Sequence, residues 1–366
     1  MSLKRWFGLG MMVSLLGLSL TGCWDDETVI QRAAAFVLSI MPAPHRQFQF
    51  TFFFPNPAES ISTNVNIPAS QPFATAREVA NSISQANNEA QRDLARDLFM
   101  GQLQDIIVSR DIPAQSISRL VREYNRDGYV SHTVFLVAEP TNSDPLPVTI
   151  QEPVPSVYFT QYFNCRTCQS SYLGQPLWRV WDAFVTPGVS PVIPYALPPT
   201  RITRILVYPP SGRPLLMTQQ ESRGWAMLMN HVFKETYGVR MDGGPLVVKR
   251  LRARTHVRLS YQDGQLIANV HINAYGSLIE WPASFLDTPP NVGWAQAQTS
   301  KQIIAECLKA VDFANETRTD PFGWGRNYLY LHPGESKRFA GQRGMLWPIV
   351  AHVSVTTHLT TSGVTD

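Results

Sequence analysis

Apolar and polar positions alternate most strictly in the last third of the chain. Between Leu246 and Tyr261, Leu251, Ala253, Thr255, Val257 and Leu259 fall on one side. Arg250, Arg252, Arg254, His256 and Arg258 fall on the other. A period of two predicts a strand with one buried face. Asp263-Gly264 suits a tight hairpin turn, and Leu266 to Tyr275 runs back with Leu266, Ala268, Val270, Ile272 and Ala274 inward. A helix begins near Thr299, carrying Ile303, Ile304, Cys307, Leu308 and Val311, and a last strand alternates Ile349, Ala351, Val353 and Val355 with His352, Ser354 and Thr356. This β–β–α–β order predicts a helix packed on an antiparallel-rich sheet.

Upstream the periods change. Phe48, Phe50 and Phe52 alternate with Gln47, Gln49 and Thr51, which reads as a strand. Val79, Ile83, Ala86, Ala90, Leu94 and Leu98 recur at helical spacing, so one or two helices are expected over Ala74 to Leu98. Asp105 to Ser109 reads as a short buried strand. Pro113 opens a helix with Ile117, Leu120, Val121 and Tyr124 on one face, ended by Asp127-Gly128, and Thr133 to Ala138 is another strand. The β–α–β–α–β order predicts at least one parallel pair. Residues 139 to about 160 are rich in proline and polar side chains and read as a linker. A helix follows around Tyr172 to Phe184, then a strand at Ile202 to Tyr208. Thr218-Gln-Gln-Glu221 reads as a capping box opening a helix through Trp225, Leu228 and Val232. The expected fold is mixed α+β in three parts: an α/β-type domain over 23–150, a small middle domain over 165–237 and an α+β domain over 240–366.

The first residues belong to none of these. Lys4 and Arg5 precede an uncharged run from Trp6 to Leu20, which ends in Leu20-Thr21-Gly22-Cys23. The run has the length of a signal-peptide core and is short for a membrane-spanning helix of roughly 20 residues. Leu-x-Gly-Cys resembles the bacterial lipobox: a thiol must be alkylated by a diacylglyceryl group, and a small residue before it admits the peptidase. Residues 1–22 are therefore expected to be a signal peptide, with Cys23 the lipid-carrying N-terminus on the outer face of a membrane. Two acyl chains suffice for stable anchoring where one is marginal.

Composition narrows the function. With 366 residues, 44 % hydrophobic and 16 % charged, the chain can bury substantial cores. The formal charge of +3 includes Lys4 and Arg5, so the chain after the leader is nearly neutral and gives no argument for nucleic acid. No catalytic, phosphate-binding or calcium-loop motif is present, and the eight histidines are scattered. No enzyme, cofactor or metal site is expected. Cys165-Arg-Thr-Cys168 lacks the second ligand pair of a zinc site and the strand–helix setting of a redox motif, so a local disulfide is the expectation. Arg250, Arg252, Arg254 and Arg258 form a solvated sheet face or a docking face for anionic lipid headgroups or an acidic protein surface.

In order and spacing, these features resemble the C-subunit lipoproteins of bacterial spore germinant receptors. The likeness starts at Leu20-Thr-Gly-Cys23-Trp24-Asp25 with Glu27. It continues through the Gln102-to-Ser109 strand, Tyr124 to Asp127, the Val134-to-Ala138 strand, the prolines around Tyr195, and Glu221 to Trp225. It ends with Asp320-Pro-Phe322-Gly323-Trp-Gly325, Trp347 and the final strand to Gly363. Gln102 and Pro321 depart from the family pattern, as in a divergent member. The resemblance implies a three-domain, non-enzymatic subunit on the outer surface of the spore inner membrane. It would act with a multi-spanning A subunit and a transporter-like B subunit to sense nutrients and trigger germination. The alternative is an extracytoplasmic solute-binding lipoprotein of a transporter, which needs two similar α/β lobes.

Overall fold

The structure is a computed structural model that describes residues 32–55, 73–126, 130–131, 133–141, 158–165, 174–197, 201–239, 244, 246–280 and 289–361. The leader, Cys23, Cys168 and Asp127-Gly128 lie outside the described residues.

Long-range strand pairing assembles the first two thirds of the chain. Strands β1 (Arg32–Ala34), β2 (Val37–Pro42), β3 (Phe48–Pro55) and β4 (Phe73–Ala80) are followed by helix α1 (Ile83–Asp93), β5 (Asp97–Phe99) and β6 (Asp105–Ser109). Helix α2 (Ala114–Arg126), β7 (Phe135–Glu139) and α3 (Tyr158–Asn164) come next. Then follow β8 (Gln175–Pro176), α4 (Leu177–Val185), β9 (Val192–Leu197), β10 (Arg201–Val207) and β11 (Leu215–Leu216). Nine of these strands form one mixed sheet in the order β11-β10-β9-β7-β6-β2-β3-β4, with β8 also paired to β7. The pairs β2–β6 and β6–β7 are parallel, as the β–α–β–α–β order requires. Ile106, Ile107 and Val108 in β6 are all buried, because apolar layers cover both faces of this central strand. The segment expected as a middle domain places β9–β11 in this same sheet, so it does not stand apart from the N-terminal strands.

Two local expectations change. Residues 73–80 form an edge strand rather than the start of a helix. Pairing along the whole of β3, Phe48↔Ala80 to Pro55↔Phe73, overrides the helix-like spacing, and Val79 points to solvent. The segment read as a linker ends in α3, whose Phe159 and Phe163 are buried.

The second sheet follows the alternation read from sequence. After α5 (Gln219–Leu228) come β12 (Glu235–Val239), β13 (Leu246–Gln262), β14 (Gln265–Glu280), α6 (Pro289–Thr317), α7 (Trp324–Leu331) and β15 (Ile349–Thr361). The strand order is β12-β13-β14-β15, antiparallel except that β15 returns parallel to β14 after the helical crossover. Asp263 and Gly264 both take positive φ (48° and 81°), the twist that a two-residue hairpin needs. Leu266, Ala268, Val270, Ile272 and Ala274 are buried beneath α6, which contributes Ile303, Cys307 and Val311. Helix α6 begins at Pro289, ten residues before the start expected near Thr299.

Candidate functional site

Three successive residues of α5 fasten it to α6 and to the loop before α7. The capping box at Thr218 and Glu221 fixes the start of the helix, with the Thr218 amide donating to Glu221 Oε2 (2.6 Å) and the Glu221 amide to Thr218 Oγ1 (3.3 Å). Arg223 then donates to the buried Glu306 of α6, which also accepts from Tyr237 Oη (2.9 Å) and Gln302 Nε2 (3.3 Å). Burial pushes the Glu306 carboxyl up, and Arg223 pulls it back. Gly224 lies against the backbone of α6: a Cβ there would come within 1.9 Å of the Glu306 carbonyl oxygen. Trp225 is buried and its indole donates to the Pro321 carbonyl (2.9 Å).

That carbonyl belongs to the Asp320–Gly325 loop, which docks on residues 188–190 of the first sheet's half. Asp320 is fully enclosed and accepts from the amides of Phe322 (3.1 Å), Trp324 (3.3 Å) and Gly325 (2.7 Å). Its backbone exchanges hydrogen bonds with Ser190, the Ser190 amide donating to its carbonyl (2.7 Å) and its own amide to Ser190 Oγ (3.0 Å). Gly188, at φ 72°, approaches Gly325 and accepts from the Arg326 amide (2.8 Å); a Cβ there would meet the Arg326 nitrogen at 2.5 Å. Burial lifts the Asp320 carboxyl to about 6 against the opposing pull of the loop amides. The Phe-Gly-Trp-Gly run read from sequence is therefore a structural clamp, and Pro321 supplies a carbonyl rather than a functional side chain.

A cleft of about 360 Å³ opens beside the clamp, walled by Trp178, Asp182, Trp225, His231, Arg326 and Tyr330. Asp182 pairs with Arg326 (3.0 Å), and burial followed by the nearby Arg179 lowers His231 to about 4. Sequence reasoning missed this cleft because its walls come from α4, α5, α7 and the loops beside them, far apart in the chain.

The arginine ladder is displayed as expected, with one shift of register. Arg252, Arg254, His256 and Arg258 are exposed, opposite Tyr275, Asn273, His271 and Asn269 of β14. The pairing slips between Lys249 and Arg252, where Arg250 has a positive φ of 56°. This bulge faces Gly276, whose missing side chain leaves room for Val248 Cγ1. Val248 and Leu251 are thereby both buried, while Lys249 and Arg252 both point outward. Arg250 is exposed but sits in the bulge rather than in the ladder.

The cysteines separate cleanly. Cys165 is disulfide-bonded at the end of α3. Cys307 is free and buried, its thiol held above the ordinary range by burial and by Glu306. Among the described residues no group of three potential ligands could hold a metal ion, and no helix is long and apolar enough to cross a membrane.

The two sheets and the seam between them define a mixed α+β protein of unequal halves. The family model described as the spore germination protein N-terminal domain matches residues 26–197, and the one described as spore germination B3/GerAC like, C-terminal matches residues 216–363. The chain belongs to this GerAC-like family of spore germination proteins, the C subunits of germinant receptors, a family not known as enzymatic. Its fold is similar to the crystal structure of the GerBC protein, with a TM-score of 0.57 and 13 % identity over 88 % of this chain and 96 % of that one. No curated protein matches the sequence significantly. Nothing in these matches supports the solute-binding alternative, and the nine-stranded and four-stranded sheets are not the paired lobes it requires.

Proposed function

We propose that this germinant-receptor subunit is held by a lipid on Cys23 at the outer surface of the spore inner membrane. There it acts without catalysis, through contacts with the integral A and B subunits. One observation carries the reading: Leu20-Thr21-Gly22-Cys23 ends three residues before the family-matched region begins at residue 26. The proposed sorting signal thus lies next to the family-matched sequence. The disulfide at Cys165 fits an oxidising, extracytoplasmic setting, with Cys168 its proposed partner. Exposed Trp178 and Tyr330 beside the seam supply the aromatic anchors on which protein contacts usually depend.

Mass spectrometry of the chain purified from spore membranes tests the tether. The expected N-terminal peptide starts at Cys23 and carries a diacylglyceryl group, and the integral subunits co-purify with it. An unmodified Cys23 inside a longer N-terminal peptide would refute the tether.

A further inference from the structure

The outward face of the second sheet carries one sign of charge and almost no apolar bulk. Lys249, Arg252, Arg254 and Arg258 line β13, with His256 among them. Behind them come Asn269, His271, Asn273 and Tyr275 of β14, then His352, Ser354, Thr356 and His358 of β15. Neither β13 nor β15 contains a carboxylate. In β14 the only one is Glu280 at the last position. None of the three ladder arginines forms an ion pair with another described residue. Guanidinium groups two positions apart on one strand repel, and among the described residues no carboxylate pairs with them. The chain after residue 5 is almost neutral, so this is a local segregation of charge and not a consequence of overall composition.

We infer that this face rests on an anionic phospholipid surface. A protein partner usually needs a desolvated centre of aromatic and aliphatic side chains with few charges. Here the centre is arginine, histidine, asparagine and serine; of the large exposed side chains, Tyr275 stacks on His358 (5.0 Å) and Ile279 lies at the far end of β14. Headgroup phosphates need only a plane of cations and hydrogen-bond donors, each basic side chain contributing about 1 kcal/mol near an anionic leaflet. Arginine adds bidentate hydrogen bonds to phosphate oxygens. A shallow depression has Arg258, His256, His271 and His352 on its polar side and Val270, Leu308, Ala351 and Val353 on its apolar side; the polar side gives such an oxygen a seat, and His271 is hydrogen-bonded there to Ser354 (3.0 Å). The inference rests on the membrane-side location proposed above. It adds an orientation: the second sheet lies face-down, as a second attachment beside the lipid.

The test uses the chain from Trp24 onward, without leader or lipid; every described buried apolar residue lies at Ala35 or beyond, so both cores are kept. Flotation with phosphatidylcholine vesicles containing about a third phosphatidylglycerol should recover the protein. Pure phosphatidylcholine, or high salt, should not. Changing Arg252, Arg254 and Arg258 together to Glu should weaken binding by about a hundredfold. The same reversal at exposed Arg77, Arg96 and Arg122 should leave it within a fewfold. No binding by the native chain, or equal binding by the ladder variant, overturns the inference. So does loss of binding to the integral subunits in the ladder variant when the native chain ignores the vesicles; that result assigns the face to an acidic protein surface. Because no lipid is attached, these outcomes are independent of whether Cys23 is modified.

Discussion

Asp320 gathers three amides of one loop onto a carboxylate that water does not reach. Both oxygens accept, so an amide in its place must point one NH₂ at a donor. Asp320→Asn is expected to cost at least ~2 kcal/mol, read as a lower urea midpoint at unchanged slope. An unchanged midpoint would show that the clamp does not stabilise the fold. The pH dependence has two opposing parts. Asp320, raised to about 6 from 3.8, contributes stability that is full below pH 3.8 and lost as pH rises through about 6. His231, lowered to about 4 from 6.5, contributes stability that is full above pH 6.5 and lost as pH falls through about 4. His231→Gln should remove the second part, so that the variant loses less stability than the native chain between pH 6.5 and 4. Parallel curves would show that the imidazole is not excluded from water. The sequence displayed the Asp-Pro-Phe-Gly-Trp-Gly run but not its role. Its partners at Gly188 and Ser190 lie some 130 residues away, and no local pattern records them.

At the level of elements, the second sheet was legible and the first only partly so. Strands β13, β14 and β15 each have one wet face, so polarity alternates and the period can be read. The first sheet's central strands are covered on both sides and show only short apolar runs. Strand β4 has helix-like spacing and is a strand because β3 offers it eight partners. The bulge at Arg250 left no sequence signal, since a positive φ is usually marked by Gly or Asn. The α5–α6 crossing depends on Gly224 as well as on its ion pair. Gly224→Ala places a methyl group on the Glu306 backbone, where two rigid helices must part, and is expected to cost ~1–3 kcal/mol or more. Thermal unfolding gives the value. A native-like midpoint would mean that the helices can separate freely. Arg223→Ala, by contrast, strands a carboxylate that is 3 % exposed and should cost ~3–5 kcal/mol.

Across the whole molecule, the two matched family regions are not separate bodies tied by a linker. The Asp320–Ser190 and Arg326–Gly188 hydrogen bonds join them through a buried seam. The candidate site was legible where it lay on one strand, as with the arginine ladder. The cleft was not, because three helices and the loops beside them compose it. The proposed lipid anchor rests on local chemistry in the sequence alone: a charge pair, an apolar run and a cysteine at fixed depth. The central claim is that this signal delivers a folded, non-enzymatic subunit to integral partners. The direct measurement is nutrient-triggered germination in spores whose copy of this chain carries Cys23→Ala. The expected result is a correctly folded chain that no longer remains in the membrane fraction, with the nutrient response lost. Normal germination, with the unlipidated chain performing as well as the native one, would contradict the account.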